Sequence, residues 1–114
     1  EAHNLNITDS IIRNNNTKGF GIGWEAGGNK ILHSKGVVLE NSQFINNHGD
    51  GIWFDYSREN FAIVRNNLIA DNNSAGIFYE VSYGLQLYDN VIIGNGFNMG
   101  NRSRAAGISI SSCS

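Results

Sequence analysis

The chain has 114 residues and a formal net charge of −2, which leaves room for one domain. With 40% hydrophobic and 16% charged residues it is no disordered polyelectrolyte, and no apolar run nears the roughly 18 residues of a membrane span. No basic cluster points to nucleic acid, and the single Cys113 excludes an internal disulfide. Asn occurs 18 times, Gly 14, Ile 14 and Leu only 6, with no Pro. Asn and Gly favour turns, and β-branched Ile favours strands. The composition predicts short strands joined by Asn/Gly turns rather than a helical bundle.

In chain order, LNITDSIIRNN near the start predicts two short strands, and GIGWE at 21–25 a third. AGGNKILHSK at 26–35 reads as an insertion. GVVLENSQFINNHGDGIWFD at 36–55 and FAIVRNNLIADNNSAGIFYE at 61–80 then align without a gap at a shift of 25 residues. Asn41 falls on Asn66, Asn47 on Asn72, Gly51 on Gly76, and Asp55 on Glu80. LQLYDNVIIGN follows, then a loop at 96–106, then GISIS from Gly107. Upstream, the same alignment places Gly21, Ile22 and Glu25 on Gly51, Ile52 and Asp55.

Each of the four copies holds three apolar runs, none long enough for an ordinary helix. One such copy cannot bury its own apolar side, whereas stacked copies bury a continuous core. The expected fold is all-β: a parallel β-helix solenoid of about four rungs of three short strands. Leucine-rich repeats need more Leu, the Ca²⁺-binding GGxGxDxUx repeat is absent, and propeller blades need about 40 residues each.

The run [VI]-x-[LIV]-x-[ND]-[NS]-x-[FI], then NN, then G-[IV]-x-[FY]-[DE], resembles the right-handed parallel β-helix repeats of pectate-lyase-like proteins. The resemblance covers all four copies and speaks for fold more than activity, because that superfamily holds lyases, hydrolases, epimerases, tailspikes and adhesins. It implies a secreted protein, extracellular or on the cell surface, with a polysaccharide or oligosaccharide as partner and no nucleic acid or membrane.

Alternation along strands assigns the columns. Ile22/Ile52/Ile77/Ile108 and Trp24/Phe54/Tyr79/Ile110 are expected inside. So are Leu5/Val37/Ala62/Leu85, Ile7/Leu39/Val64/Leu87 and Ile12/Phe44/Ile69/Ile92. Asp9/Asn41/Asn66/Asp89 is expected to form an internal ladder of side-chain hydrogen bonds, and Asn15/Asn47/Asn72/Asn95 to serve another turn.

The column of chemical interest is Glu25/Asp55/Glu80, ending in Ser111. Adjacent rungs lie about 4.8 Å apart, so three carboxylates are expected to stack on the outer face. Like charges so close oppose simultaneous ionisation. Trp53 and Phe78 are expected exposed two residues earlier, as a platform for sugar rings. Glycoside hydrolysis uses two carboxylates, and Asp55 and Glu80 are the best pair, with Glu25 as a third member. A lyase or epimerase acting on a uronate polymer would use His48, Arg58, Tyr83 and Arg102/Arg104. The acidic column could equally hold Ca²⁺, although no cofactor or metal is required. The third reading is a non-catalytic glycan-binding adhesin or tailspike segment. The sequons beginning at Asn6, Asn15, Asn72 and Asn101 follow from Asn-rich turns. The chain is expected to be part of a longer solenoid, or to associate end to end.

Overall fold

The computed structural model describes residues 1–57, 61–97 and 105–113. Among the described residues twelve short strands form three parallel four-stranded sheets, and there is no helix. The first sheet holds β1 (Asn6–Thr8), β4 (Val37–Glu40), β7 (Ala62–Arg65) and β10 (Leu85–Tyr88). The second holds β2 (Ile11–Arg13), β5 (Gln43–Ile45), β8 (Leu68–Ala70) and β11 (Val91–Ile93). The third holds β3 (Lys30–Leu32), β6 (Ile52–Asp55), β9 (Ile77–Glu80) and β12 (Ile108–Ser111). Every strand therefore pairs with its counterpart one rung away, as a right-handed parallel β-helix requires.

The middle rungs carry the interior. Leu39, Val64, Phe44, Ile69, Ile52, Ile77 and Phe54 have no exposed surface, and Val37, Ala62 and Tyr79 nearly none. Leu5, Ile7, Ile12, Leu85, Leu87 and Ile92 of the outer rungs pack against them half-buried. The expected columns of the first two sheets are borne out, and those of the third at Ile52/Ile77 and Phe54/Tyr79, whereas Ile108 and Ile110, expected inside, are 41% and 65% exposed because β12 has a neighbouring strand on one side only among the described residues.

The first rung differs from expectation in one place. Its strand in the third sheet is Lys30–Leu32, from the supposed insertion, with Lys30 paired to Trp53, Ile31 to Phe54 and Leu32 to Asp55. GIGWE lies instead in a loop before it, where Trp24 is 77% exposed rather than interior. The physical reason is the glycine column. Gly28 sits on Gly51 so closely that a Cβ there would strike the Gly51 carbonyl oxygen and lie 2.9 Å from Asn47 Nδ2. The same backbone approach recurs at Gly51, whose Cβ would lie 2.7 Å from the Gly76 oxygen. Only the glycine at the true strand entry meets that constraint, and Gly21 has nothing within 4 Å.

The three corners share one design. A residue in the left-handed region is followed by a polar residue turned inward. At the first corner the left-handed residues are Asp9, Asn41, Asn66 and Asp89, with φ of 49°, 51°, 55° and 55°. All four are exposed, so the expected ladder at this column is corrected: these Asx residues supply a tolerated φ, not rung-to-rung amide bonds. The residues after them make the bonds, with Ser42 N donating to Asn67 Oδ1 at 3.0 Å and Asn67 N to Asn90 Oδ1 at 3.0 Å.

The second corner carries the continuous amide ladder. Asn15 Nδ2 donates to Asn47 Oδ1 at 2.9 Å, Asn47 Nδ2 to Asn72 Oδ1 at 2.9 Å, and Asn72 Nδ2 to Asn95 Oδ1 at 2.8 Å. At the third corner the left-handed column is His33, Tyr56, Val81 and Ser112. Ser34, Ser57 and Ser82 follow, with Ser34 N donating to Ser57 Oγ at 3.3 Å and Ser57 N to Ser82 Oγ at 2.9 Å. This third corner stands directly beside the carboxylates.

Candidate functional site

In β6 and β9, Ile52/Phe54 and Ile77/Tyr79 point into the core, so alternation turns Trp53/Asp55 and Phe78/Glu80 outward. Asp55 and Glu80 are register partners on adjacent strands, and Trp53 pairs with Phe78 in the same way. The expected pairing of the two carboxylates on the outer face is therefore present.

Three of the expected features are not. Glu25 is exposed in the loop before β3, and Leu32 takes its place beside Asp55. The column runs Leu32, Asp55, Glu80, Ser111, a pair of carboxylates rather than a triplet. Second, Trp53 and Phe78 face outward but are buried, at 4% and 5% exposure. Their ring centroids lie 5.5 Å apart and they pack with Ala75 in a small cluster outside the main core. The insertion accounts for part of this cover, because Lys30 Nζ stands 3.8 Å from the Trp53 ring centroid. Two apolar rings on an outward face are stabilised by such cover. They offer no open platform for a sugar. Third, His48 sits at the second corner, at the opposite end of β6 from Asp55. There its N–H donates to Asn15 O at 3.0 Å and its carbonyl accepts from Asn16 Nδ2 at 2.8 Å. It is a turn residue remote from the carboxylates.

Tyr83 follows Glu80 past the third corner and is exposed. Arg58, Arg102 and Arg104 lie outside the described residues. With Glu25 removed from the column, no group of three or more His, Cys, Asp or Glu that could hold a metal gathers among the described residues. The donor set expected for Ca²⁺ does not assemble there, and no chemistry is derived through it.

Two features of the site escape the repeat alignment above. Lys30 is the first. Its Nζ pairs with Asp55 Oδ2 at 3.0 Å, donates to the Trp24 carbonyl at 3.0 Å, and covers Trp53. Both ionic side chains are mostly shielded, at 15% and 17% exposure, so this pair is held more firmly than an open surface pair. Glu80 has no ion pair among the described residues. The two neighbouring carboxylates thus stand in different surroundings.

The second feature is the His33–Tyr56 stack, with ring centroids 5.2 Å apart and planes 17° from parallel. His33 follows Leu32 and Tyr56 follows Asp55, each at the left-handed position of the third corner. The sequence does carry a signal for both features. Leu32-His33-Ser34 matches Asp55-Tyr56-Ser57 and Glu80-Val81-Ser82, and this Ser column sets the register that GIGWE obscures.

Comparison with curated proteins and with solved structures gives no match. A family model described as a right-handed beta helix region matches residues 1–114, in agreement with the three parallel sheets. The chain belongs to the right-handed β-helix family.

Proposed function

We propose that this β-helix acts on a polysaccharide by cleaving glycosidic bonds, with Asp55 and Glu80 as the paired carboxylates. The observation that carries the reading is their placement as register partners on the outer face of the third sheet, Asp55 ion-paired to Lys30 and Glu80 without an ion pair among the described residues. Adjacent strands stand about 4.8 Å apart, close to the roughly 5–5.5 Å between carboxyl groups in retaining hydrolysis. In that scheme Asp55, oriented by Lys30, attacks the anomeric carbon while Glu80 donates a proton to the departing oxygen. Glu80 then takes a proton from the water that releases the sugar. A polymer substrate goes with an extracellular or cell-surface location, which is part of the proposal.

The test is release of reducing ends from a panel of polysaccharides by the native protein, Asp55→Asn and Glu80→Gln. Release that falls at least a hundredfold in both variants, with unchanged folding, supports the reading. Equal release by the native protein and both variants refutes it. Unsaturated products absorbing in the ultraviolet would instead mark a lyase.

A further inference from the structure

Residues 16–29 form an ordered loop that presents two aromatic rings to solvent. Phe20 is 69% exposed and Trp24 77%. The loop is fixed at several points. Asn16 makes a two-way amide pairing with Phe20, Oδ1 accepting from Phe20 N and Nδ2 donating to Phe20 O, each at 2.8 Å. Asn16 Nδ2 also reaches His48 O at 2.8 Å, which ties the loop to the second rung. At its far end Gly28 N donates to the Asp50 carbonyl at 2.7 Å, and Asp50 is itself buried and accepts from Ala75 N at 3.0 Å. Lys30 closes the arrangement by donating to the Trp24 carbonyl.

The loop encloses an open depression of about 500 Å³, lined by Phe20, Trp24, Glu25 and neighbouring residues. Small-ligand sites commonly occupy roughly 300–1,000 Å³, with apolar walls and few polar groups. Apolar rings held this far into water by fixed backbone contacts point to a ligand that uses them.

We infer that this depression is a sugar-binding subsite for an uncharged polysaccharide, with Trp24 and Phe20 as the stacking platform. The inference rests on the reading of the third sheet's outer face as the glycan-processing surface. Continuity with that face is supplied by Lys30, whose Nζ lies 6.0 Å from the Trp24 ring centroid and 3.0 Å from Asp55 Oδ2. Trp24 and Asp55 thus contact the same lysine side chain. The charges choose the substrate class. Lys30 is neutralised by Asp55, while Glu25 and Glu80 have no ion pair among the described residues. A uronate would meet these carboxylates with like charge, whereas a neutral sugar gains acceptors for its hydroxyls.

The experiment compares native protein, Trp24→Ala and Phe20→Ala by affinity electrophoresis in gels containing arabinoxylan, hydroxyethyl cellulose or polygalacturonate. Both aromatic substitutions are at exposed positions, and thermal melting checks that folding is unchanged. The expected result is retardation of native protein by a neutral polymer, weakened roughly tenfold in Trp24→Ala, the loss typical of a truncated aromatic anchor. Retardation of Trp24→Ala equal to native, no retardation by either neutral polymer, or stronger retardation by polygalacturonate would each overturn the inference. The two readings fail separately. Binding lost in Trp24→Ala without cleavage by native protein removes the catalytic proposal alone. Cleavage that needs Asp55 and Glu80 but is indifferent to Trp24 removes the subsite alone.

Discussion

Asn72→Ala is expected to be among the most damaging single truncations of a polar side chain in this solenoid. Asn72 is 1% exposed and sits midway along the second-corner ladder. Its Oδ1 accepts from Asn47 N at 3.0 Å and Asn47 Nδ2 at 2.9 Å. Its Nδ2 donates to Phe44 O at 2.9 Å and Asn95 Oδ1 at 2.8 Å. Alanine deletes all four bonds. Two of the partners retain something: Asn47 Nδ2 still reaches Ile12 O, and Asn95 Oδ1 still accepts from Asn72 N. Asn47 N and Phe44 O lose their side-chain partner outright. Leaving a buried polar group without its bond costs about 1–3 kcal/mol, and two groups are so left; the other two bonds contribute about 1 kcal/mol each, so the loss should be about 4–8 kcal/mol. That is a large fraction of the roughly 5–15 kcal/mol of an ordinary domain. The control is Asn66→Ala, at an exposed left-handed residue of φ 55°, where the expected cost is about 1 kcal/mol of backbone preference alone. Urea denaturation followed by circular dichroism measures both. A loss below about 1 kcal/mol for Asn72→Ala, or one no larger than for Asn66→Ala, would show that the ladder is not what holds the rungs in register.

Tyr79→Phe should stabilise the fold or leave it unchanged, because the Tyr79 hydroxyl is buried without a hydrogen-bond partner among the described residues. Burial, aided by Cys113, pushes the Tyr79 phenol up to about 12. Its contribution is therefore intact below the ordinary value of 10 and is lost as pH rises from there toward 12, since the unfolded chain ionises first. Melting temperatures taken across that range should sag more in the native protein than in Tyr79→Phe, and parallel curves would refute the assignment. Gly51→Ala should destabilise by about 1–3 kcal/mol, because its Cβ would lie 2.6 Å from Asn72 Nδ2 and 2.7 Å from the Gly76 oxygen. Chemical denaturation reads this directly, and a neutral result would mean the rungs can spread. Val81→Gly should stabilise by about 1 kcal/mol, because a β-branched residue at φ 48° is strained. A loss of stability would show that the Val81 side chain contributes more than its backbone costs.

How far the site was legible depended on the regularity of each rung. Between the second and third rungs the shift of 25 residues is uninterrupted, so the Asp55–Glu80 pairing and its outward direction follow from alternation alone. In the first rung two segments compete for one strand. GIGWE matches the repeat in residue type, with a glycine, an Ile, an aromatic and an acid in order. GGNKIL matches less well in type but meets the steric demand at Gly28 and brings Ser34 under Ser57. Residue type alone favours the wrong segment, which is why Glu25 was expected over Asp55 and Lys30 was not expected at all. The ladder was misplaced for a similar reason. At the first corner two polar residues stand side by side in every rung, and only the backbone torsion tells which one turns inward.

The sequence by itself determined the solenoid: periodic Ile and Val fill columns that stacking must bury, and Asn-Gly turns recur at a spacing that only stacked rungs satisfy. It also determined that two carboxylates share one outer column. The tertiary structure alone decided which segment completes the first rung, and with it the surroundings of those carboxylates. Trp53 and Phe78 face outward by alternation, but burial depends on what crosses above them, and Lys30 crosses there. A strand's own pattern fixes the direction of its side chains. Exposure and ion pairing are set by neighbours from another rung, in this case Lys30 of β3, a strand that the repeat alignment reads as an insertion.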